Sequence, residues 1–245
     1  MVFGLMCFSY TWMYGYVSQE ISSFQELFPA YPVYRASLCR LMKSIYLSDF
    51  EAMESLARVR FANSLPGPKP ICLIGSIDSE GRTNLAPFST VTHLGSNPAL
   101  IGLVSRPDLV ERHTLSNIFA TRSYTINHVH VEILEAAHHC SARYPREMSE
   151  FTAAGLTPHF EKNVAAPFVA ESRLRFALEL EETISIKSNG TILIIGKVVL
   201  AQLPAEHYGE DGSIDLTALG SMASTALDTY FELGPPIRLP YAKPR

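Results

Sequence analysis

The chain has 245 residues, enough for one large domain or two small ones around a well-buried core. A formal net charge of -4 and a pI near 6.1 provide no basic footprint for nucleic acid or an anionic membrane surface. Small molecules or other proteins are the expected partners, with no nucleic acid and no membrane.

At the N-terminus, "MVFGLMCFSYTWMYGYV" is apolar and aromatic but uncharged, and the first basic residue is Arg35. A signal peptide opens with a positive region and then a clean apolar run, and a membrane span needs roughly 18 consecutive apolar residues. Neither pattern is met. Residues 1–41 are read as an upstream extension, with Met42 as an alternative start and residues 42–245 as the folded domain. A weak membrane or sorting segment is the competing reading.

From "LSDFEAMESLARVRFANSL" the spacing predicts a helix over 47–65, capped by Ser48 or Asp49. "PGPKP" ends it, and "ICLIGSI" (71–77) reads as a buried strand closed by the turn "DSEG". A second strand is expected from about residue 82 to Leu94. Its sequence, "GRTNLAPFSTVTHL", carries a proline in its middle and an unusual share of small polar groups. Because proline donates no ladder hydrogen bond, Pro87 marks an edge, a bulge or a local diversion.

After the turn "GSNP" comes a third strand, "ALIGLVS" (99–105). A helix is expected within 106–122, with Asp108 and Glu111 spaced as a capping box and Thr114 as a second candidate cap. "SYTINHV" (123–129) is the fourth strand, and 130–172 reads as helices and loops. Two further strands flank Asn189–Gly190, a hairpin signal, and a helical patch is expected around "SMASTALDTYFEL". Strands that run consecutively in hairpins, pause for helices and then resume point to an antiparallel barrel with helical insertions, not to parallel crossovers.

The four cysteines have neither metal-ligand nor redox spacing. They read as reduced thiols of a cytoplasmic protein. His138, His139 and Cys140 are adjacent, and neighbouring helical residues project about 100° apart, a poor arrangement for one metal ion. The sequence has no nucleophile elbow, zinc-protease helix, P-loop or dinucleotide-binding glycine fingerprint.

From about residue 56 to 243 the chain resembles the flavin reductase-like proteins with the FMN-binding split-barrel fold. The matching pieces are "PKPICLIGSIDSEGRTNLAPFSTVTHL", "RPDLVERHTLSNIFATRSYTINHV", "SEFTAAGL", "NGTILIIGKVVL" and "RLPYAKP". The resemblance implies a mainly β, antiparallel Greek-key split barrel that forms a homodimer with FMN near the interface. It further implies an NAD(P)H-dependent flavin reductase, with NADH or NADPH as co-substrate and reduced flavin passing to an acceptor such as a monooxygenase.

It also implies site residues. Asn84, Ala86, Pro87, Phe88, Ser89 and Thr90 would meet the flavin ring, mostly through backbone. Ser105 and Arg106, at the start of a helix, would hold the phosphate, with Thr114 and Asn117 beside them. Thr114 answers equally to a plain helix cap, and Asn127 equally to a structural strand-end residue. Many family members carry Asp-His where this chain has Asn189 and Gly190. That departure leaves an FMN-binding electron carrier without nicotinamide activity as the alternative.

Overall fold

The computed structural model describes residues 43–107 and 112–244. The chain divides into two units, Met1–Phe50 and Glu51–Arg245. Of the first, residues 43–50 are described; there the Tyr46 N–H donates to Asp49 Oδ2 at 2.9 Å, closing the start of helix α1 (Leu47–Ala52). Residues 1–41, read above as an extension, and the Asp108–Glu111 capping box lie outside the described residues.

The single helix expected over 47–65 is two helices. Glu54 is extended, and its carboxylate accepts the Leu56 and Ala57 N–H groups at 2.8 and 3.1 Å, so a fresh helix, α2 (Ser55–Ser64), starts from its own cap.

Strands β1 (Lys69–Pro70) and β2 (Cys72–Ile77) follow, then β3 (Thr83–Phe88), β4 (Thr92–Ser96) and β5 (Ala99–Ser105). After helix α3 (His113–Thr121) come β6 (Ser123–His128), α4 (Leu134–His139) and α5 (Glu150–Ala154). A small hairpin, β7 (Pro158–His159) with β8 (Phe168–Val169), precedes two twelve-residue strands, β9 (Arg175–Ile186) and β10 (Thr191–Gln202). Finally β11 (Met222–Thr225) and β12 (Thr229–Glu232) form a hairpin. All pairings are antiparallel, and the main sheet has the order β3-β2-β6-β9-β10-β5-β4.

That order explains why the strand expected to reach Leu94 breaks in two. β3 and β4 are consecutive in the chain yet lie at opposite edges of the sheet. Seven flat strands would hold those edges about 29 Å apart, whereas four residue steps from Phe88 to Thr92 reach at most about 14 Å. The sheet must therefore roll into an open barrel, and residues 89–91 cross its gap. Thr90 fastens the crossing: its hydroxyl donates to the Val104 carbonyl (3.1 Å) and accepts the Val104 N–H (3.0 Å).

Two cores result. One fills the barrel with Cys72, Ile74, Leu103, Ile126 and Ile194, closed by Leu115 and Ile118 of α3. The other lies on the opposite face of β2 and β3, where Leu73 and Leu85 meet Ala137 of α4 and Phe151 of α5. Alternate residues of "ICLI" serve the two cores, which is why that strand reads as an unbroken apolar run. Gly75 is needed where β2 passes Pro167: a Cβ there would collide with the Pro167 carbonyl, which accepts the buried Thr125 hydroxyl at 2.6 Å.

The tail contradicts the expected helical patch. β11 pairs with β1 (Lys69↔Ser224) and β12 folds back on it through Ala226, at φ +53°. Helical spacing over a short Ser- and Thr-rich stretch is outweighed by a sheet partner about 150 residues earlier, which no local pattern announces. Residues 233–244 have no regular structure, as their prolines predict. Among the described residues no helix is long and apolar enough to cross a membrane.

Candidate functional site

The outer edge of β3 is covered over only part of its length. The Leu85 N–H donates to Glu150 Oε2 of α5 at 2.9 Å, so it points away from β2. Strand parity then turns the nitrogen of Pro87, two residues on, outward as well. Pro87 thus removes no hydrogen bond from the β2–β3 ladder, where it lies opposite Leu73. Of the three meanings open to a strand proline, it marks an edge. Glu150 shields this edge at Leu85; burial raises its carboxyl's pKa above the ordinary value, against the pull of the Leu85 N–H. Of the residues beyond, Ala86, Pro87 and Ser89 are half-buried, and Phe88 packs into the barrel core.

A second group lies where β5 ends. Ser105 is buried and its hydroxyl donates to the Arg106 carbonyl at 3.2 Å, while the Arg106 side chain is exposed. The hairpin turn from β9 to β10 comes alongside: Gly190, at φ +73°, would place a Cβ 3.5 Å from the Pro107 Cβ. The helix expected within 106–122 is α3, which begins at His113 with Arg112 at its N-cap and no side-chain cap. Thr114 is therefore no cap. It lies within the first turn of α3, buried, with its hydroxyl turned to the sheet.

There Asn84, Thr114 and Asn117 are brought together in a buried polar network. Asn84 Nδ2 donates to Thr114 Oγ1 (2.9 Å) and Ser76 Oγ (3.3 Å), and Asn117 Nδ2 donates to the same serine (3.2 Å). Arg146 reaches in from the loop before α5, donating to Asn117 Oδ1 and Asp78 Oδ2 (both 3.3 Å) and to Ser116 Oγ (2.8 Å). Arg82 Nε meets the same Asp78 oxygen at 2.7 Å. Burial opposes ionisation of Asp78, but the Arg82 N–H and guanidinium and the Glu80 N–H outweigh it and hold the carboxyl at about 2. A small polar cleft opens here between Asp78, Arg82, His113, Asn117 and Arg146.

The expected residues thus fall into three places. Ala86, Pro87, Phe88 and Ser89 line the edge of β3. Thr90, Ser105 and Arg106 gather at the end of β5. Asn84, Thr114 and Asn117 hold α3 to the sheet. Sequence reasoning missed Arg146 and Glu150, whose partners Asp78 and Leu85 lie 68 and 65 residues away, so no local spacing could have disclosed them. Asn127 is structural: it donates to the Leu73 carbonyl and Thr125 Oγ1 (both 3.0 Å) and accepts the Val169 N–H (2.9 Å). His138 and His139 turn to different tyrosines, Tyr230 and Tyr144, and Cys140 is buried in a core.

With this geometry in place, a family model described as a flavin reductase like domain matches residues 67–218. Among solved structures, a split-barrel protein of Shewanella frigidimarina assigned to the flavin reductases is 43% identical, with a TM-score of 0.79, covering 82% of this chain and 100% of that one. Nitrilotriacetate monooxygenase component B of Bacillus cereus is 25% identical, with a TM-score of 0.71, covering 81% and 98%. An uncharacterized protein of Halalkalibacterium halodurans is 32% identical over 173 residues, 68% of this chain and 82% of its own length.

Proposed function

The chain belongs to the flavin reductase like domain family, and from that premise we propose that it is an FMN-dependent oxidoreductase, acting as an NAD(P)H-dependent flavin reductase. The observation that carries this reading is the half-covered edge of β3. Glu150 occupies it at Leu85, while from Pro87 onward the outward backbone lies beyond that cover.

The residues present fit FMN. The Pro87 carbonyl shares the outward direction of its nitrogen and can accept a hydrogen bond from a flat ring lying along the edge. Ala86 and Ser89 are small enough to let such a ring approach the backbone. Arg106 is two residues past Val104, the residue that Thr90 holds, so roughly 7 Å of strand separates it from the crossing. Its guanidinium, permanently charged and forked, suits a phosphate.

When bound, the flavin would supply the redox chemistry, hydride transfer between a reduced nicotinamide and free flavin or another acceptor. The protein's part is to orient the ring and neutralise the phosphate, so no general base is needed. A monooxygenase receiving reduced flavin is the proposed partner, and the likeness to a monooxygenase component B supports it. The reading includes a homodimer with FMN near its interface and a cytoplasmic location.

One observation favours a second reading. Gly190, at the hairpin turn beside Pro107, offers no imidazole at the place where many family members carry histidine. An FMN-binding electron carrier would not need one. The test is to purify the protein, measure flavin content, and follow NADH and NADPH oxidation with and without added FMN. Turnover supports the reductase. A yellow protein that oxidises neither nucleotide is the carrier, and one that stays colourless in excess FMN ends both readings.

A further inference from the structure

We propose that the C-terminal arm, residues 234–241, docks on a second copy of this chain, laying Ile237, Leu239 and Tyr241 on the outer face of β4, β5, β10 and β9. This rests on the homodimer part of the reading above and names the contact that makes it.

The arm is held in an orientation that burial within one chain would not choose. Its prolines keep it extended, and every residue from 234 to 241 is exposed. Arg238 turns to its own body, donating from Nη1 to Asp211 Oδ2 (3.2 Å) and from Nη2 to Ser213 Oγ (2.9 Å). Thr217 Oγ1 holds the start of the arm through the Gly234 carbonyl at 3.3 Å. The apolar residues beside it are left in solvent: Ile237, Leu239 and Tyr241 are 88%, 82% and 90% exposed. A row of three such residues at alternate positions has the form of a ridge prepared for an apolar surface.

The chain also carries a surface of that kind. β5 and β10 read "ALIGLVS" and "TILIIGKVV", apolar at inward positions and, up to Lys197 opposite Leu100, at outward ones. Inward, Leu103 and Ile194 are wholly buried in the barrel. Outward, Leu193 stands opposite Val104 on one side and Ile184 on the other, and Ile184 is 44% exposed. Gly102 lies on the same face; a Cβ there would come within 2.9 Å of Leu94 Cδ1 and 3.2 Å of Leu193 Cδ1. Leu94, Gly102, Val104, Leu193 and Ile184 therefore form an apolar floor, bordered on the same face by Glu182 and Lys197.

Strands apolar on both faces are expected to be covered on both. Among the described residues this outer face has no helix against it comparable to α3 on the barrel core or to α4 and α5 on the other core. Ridge and floor are both predominantly apolar and both belong to one sequence. A two-fold pair would bring each ridge to the other copy's floor in a single self-complementary contact.

The test is sedimentation equilibrium of the full chain, its triple variant Ile237→Asp, Leu239→Asp, Tyr241→Asp, and Leu193→Asp on the floor, each checked for native circular dichroism and titrated with FMN. The full chain is expected to be a dimer. The arm variant, altered only at exposed positions, should dissociate at least about 100-fold more readily, since apolar anchors of this kind dominate association. A monomeric full chain, or an arm variant that dimerises unchanged, overturns the docking. A monomer that still takes up FMN does so while sparing the flavin reading. An arm-dependent dimer that takes up none supports the docking and removes FMN.

Discussion

Arg106 follows the last residue of β5 with its side chain in solvent, while Asn127 uses its whole amide inside the sheet. Arg106→Ala should weaken FMN binding by about 1.5 to 3 kcal/mol, the range for a charged hydrogen-bond donor, with little change in stability. Asn127→Ala should do the reverse, costing about 1 to 3 kcal/mol of stability because it leaves the Val169 N–H and the Leu73 carbonyl short of partners. Fluorescence titration with FMN and urea unfolding of the two variants check the contrast. Sequence alone could not separate them, since both sit at strand ends and differ only in what surrounds them.

His128 gives a second residue-scale expectation. Burial lowers its pKa from 6.5 to about 4, with Nδ1 3.0 Å from Ser221 Oγ. Because the folded chain holds the ring neutral more firmly than the unfolded chain does, its contribution is fully present above pH 6.5. It is lost as pH falls through 4, by roughly 3 kcal/mol in all. Urea unfolding between pH 7.5 and 4 should show that loss in the native chain and a smaller one in His128→Gln.

At the scale of the element, the register of β3 separates two neighbouring prolines. Pro87→Ala should change stability by no more than about 1 kcal/mol, because the restored N–H faces outward. Ala86→Pro should cost about 3 kcal/mol or more, since parity directs that N–H to β2 and the ring has no room beside it. Thermal unfolding of both variants decides, and equal effects would overturn the assigned parity. Elements of strong local pattern were legible: β2, β5 and the β9–β10 hairpin lie where apolar runs and Asn189–Gly190 placed them. The break at residues 89–91, the second cap at Glu54 and the β11–β12 hairpin were not. The break and the hairpin depend on a distant partner or a choice of sheet edge that period and composition do not encode, and the cap, though local, falls within an unbroken helical spacing.

For the whole molecule, residues 1–41 precede the family match at 67–218. Their removal should leave flavin content and unfolding temperature unchanged, and a colourless truncated chain would refute the extension reading. The class of fold was legible because hairpin-forming strands interrupted by helices leave few architectures. The curl of the sheet follows only once β3 and β4 are known to be its two edges. That curl makes the threonine at position 90 a stitch at the mouth of the gap, where one hydroxyl carries the β4–β5 pairing two residues past its Thr92↔Gly102 rung. Serine there would keep the stitch and valine would undo it. In Thr90→Val the Val104 amide should exchange with deuterium sooner than its neighbours on β5, which would show that the barrel parts first along the slit proposed to receive its cofactor.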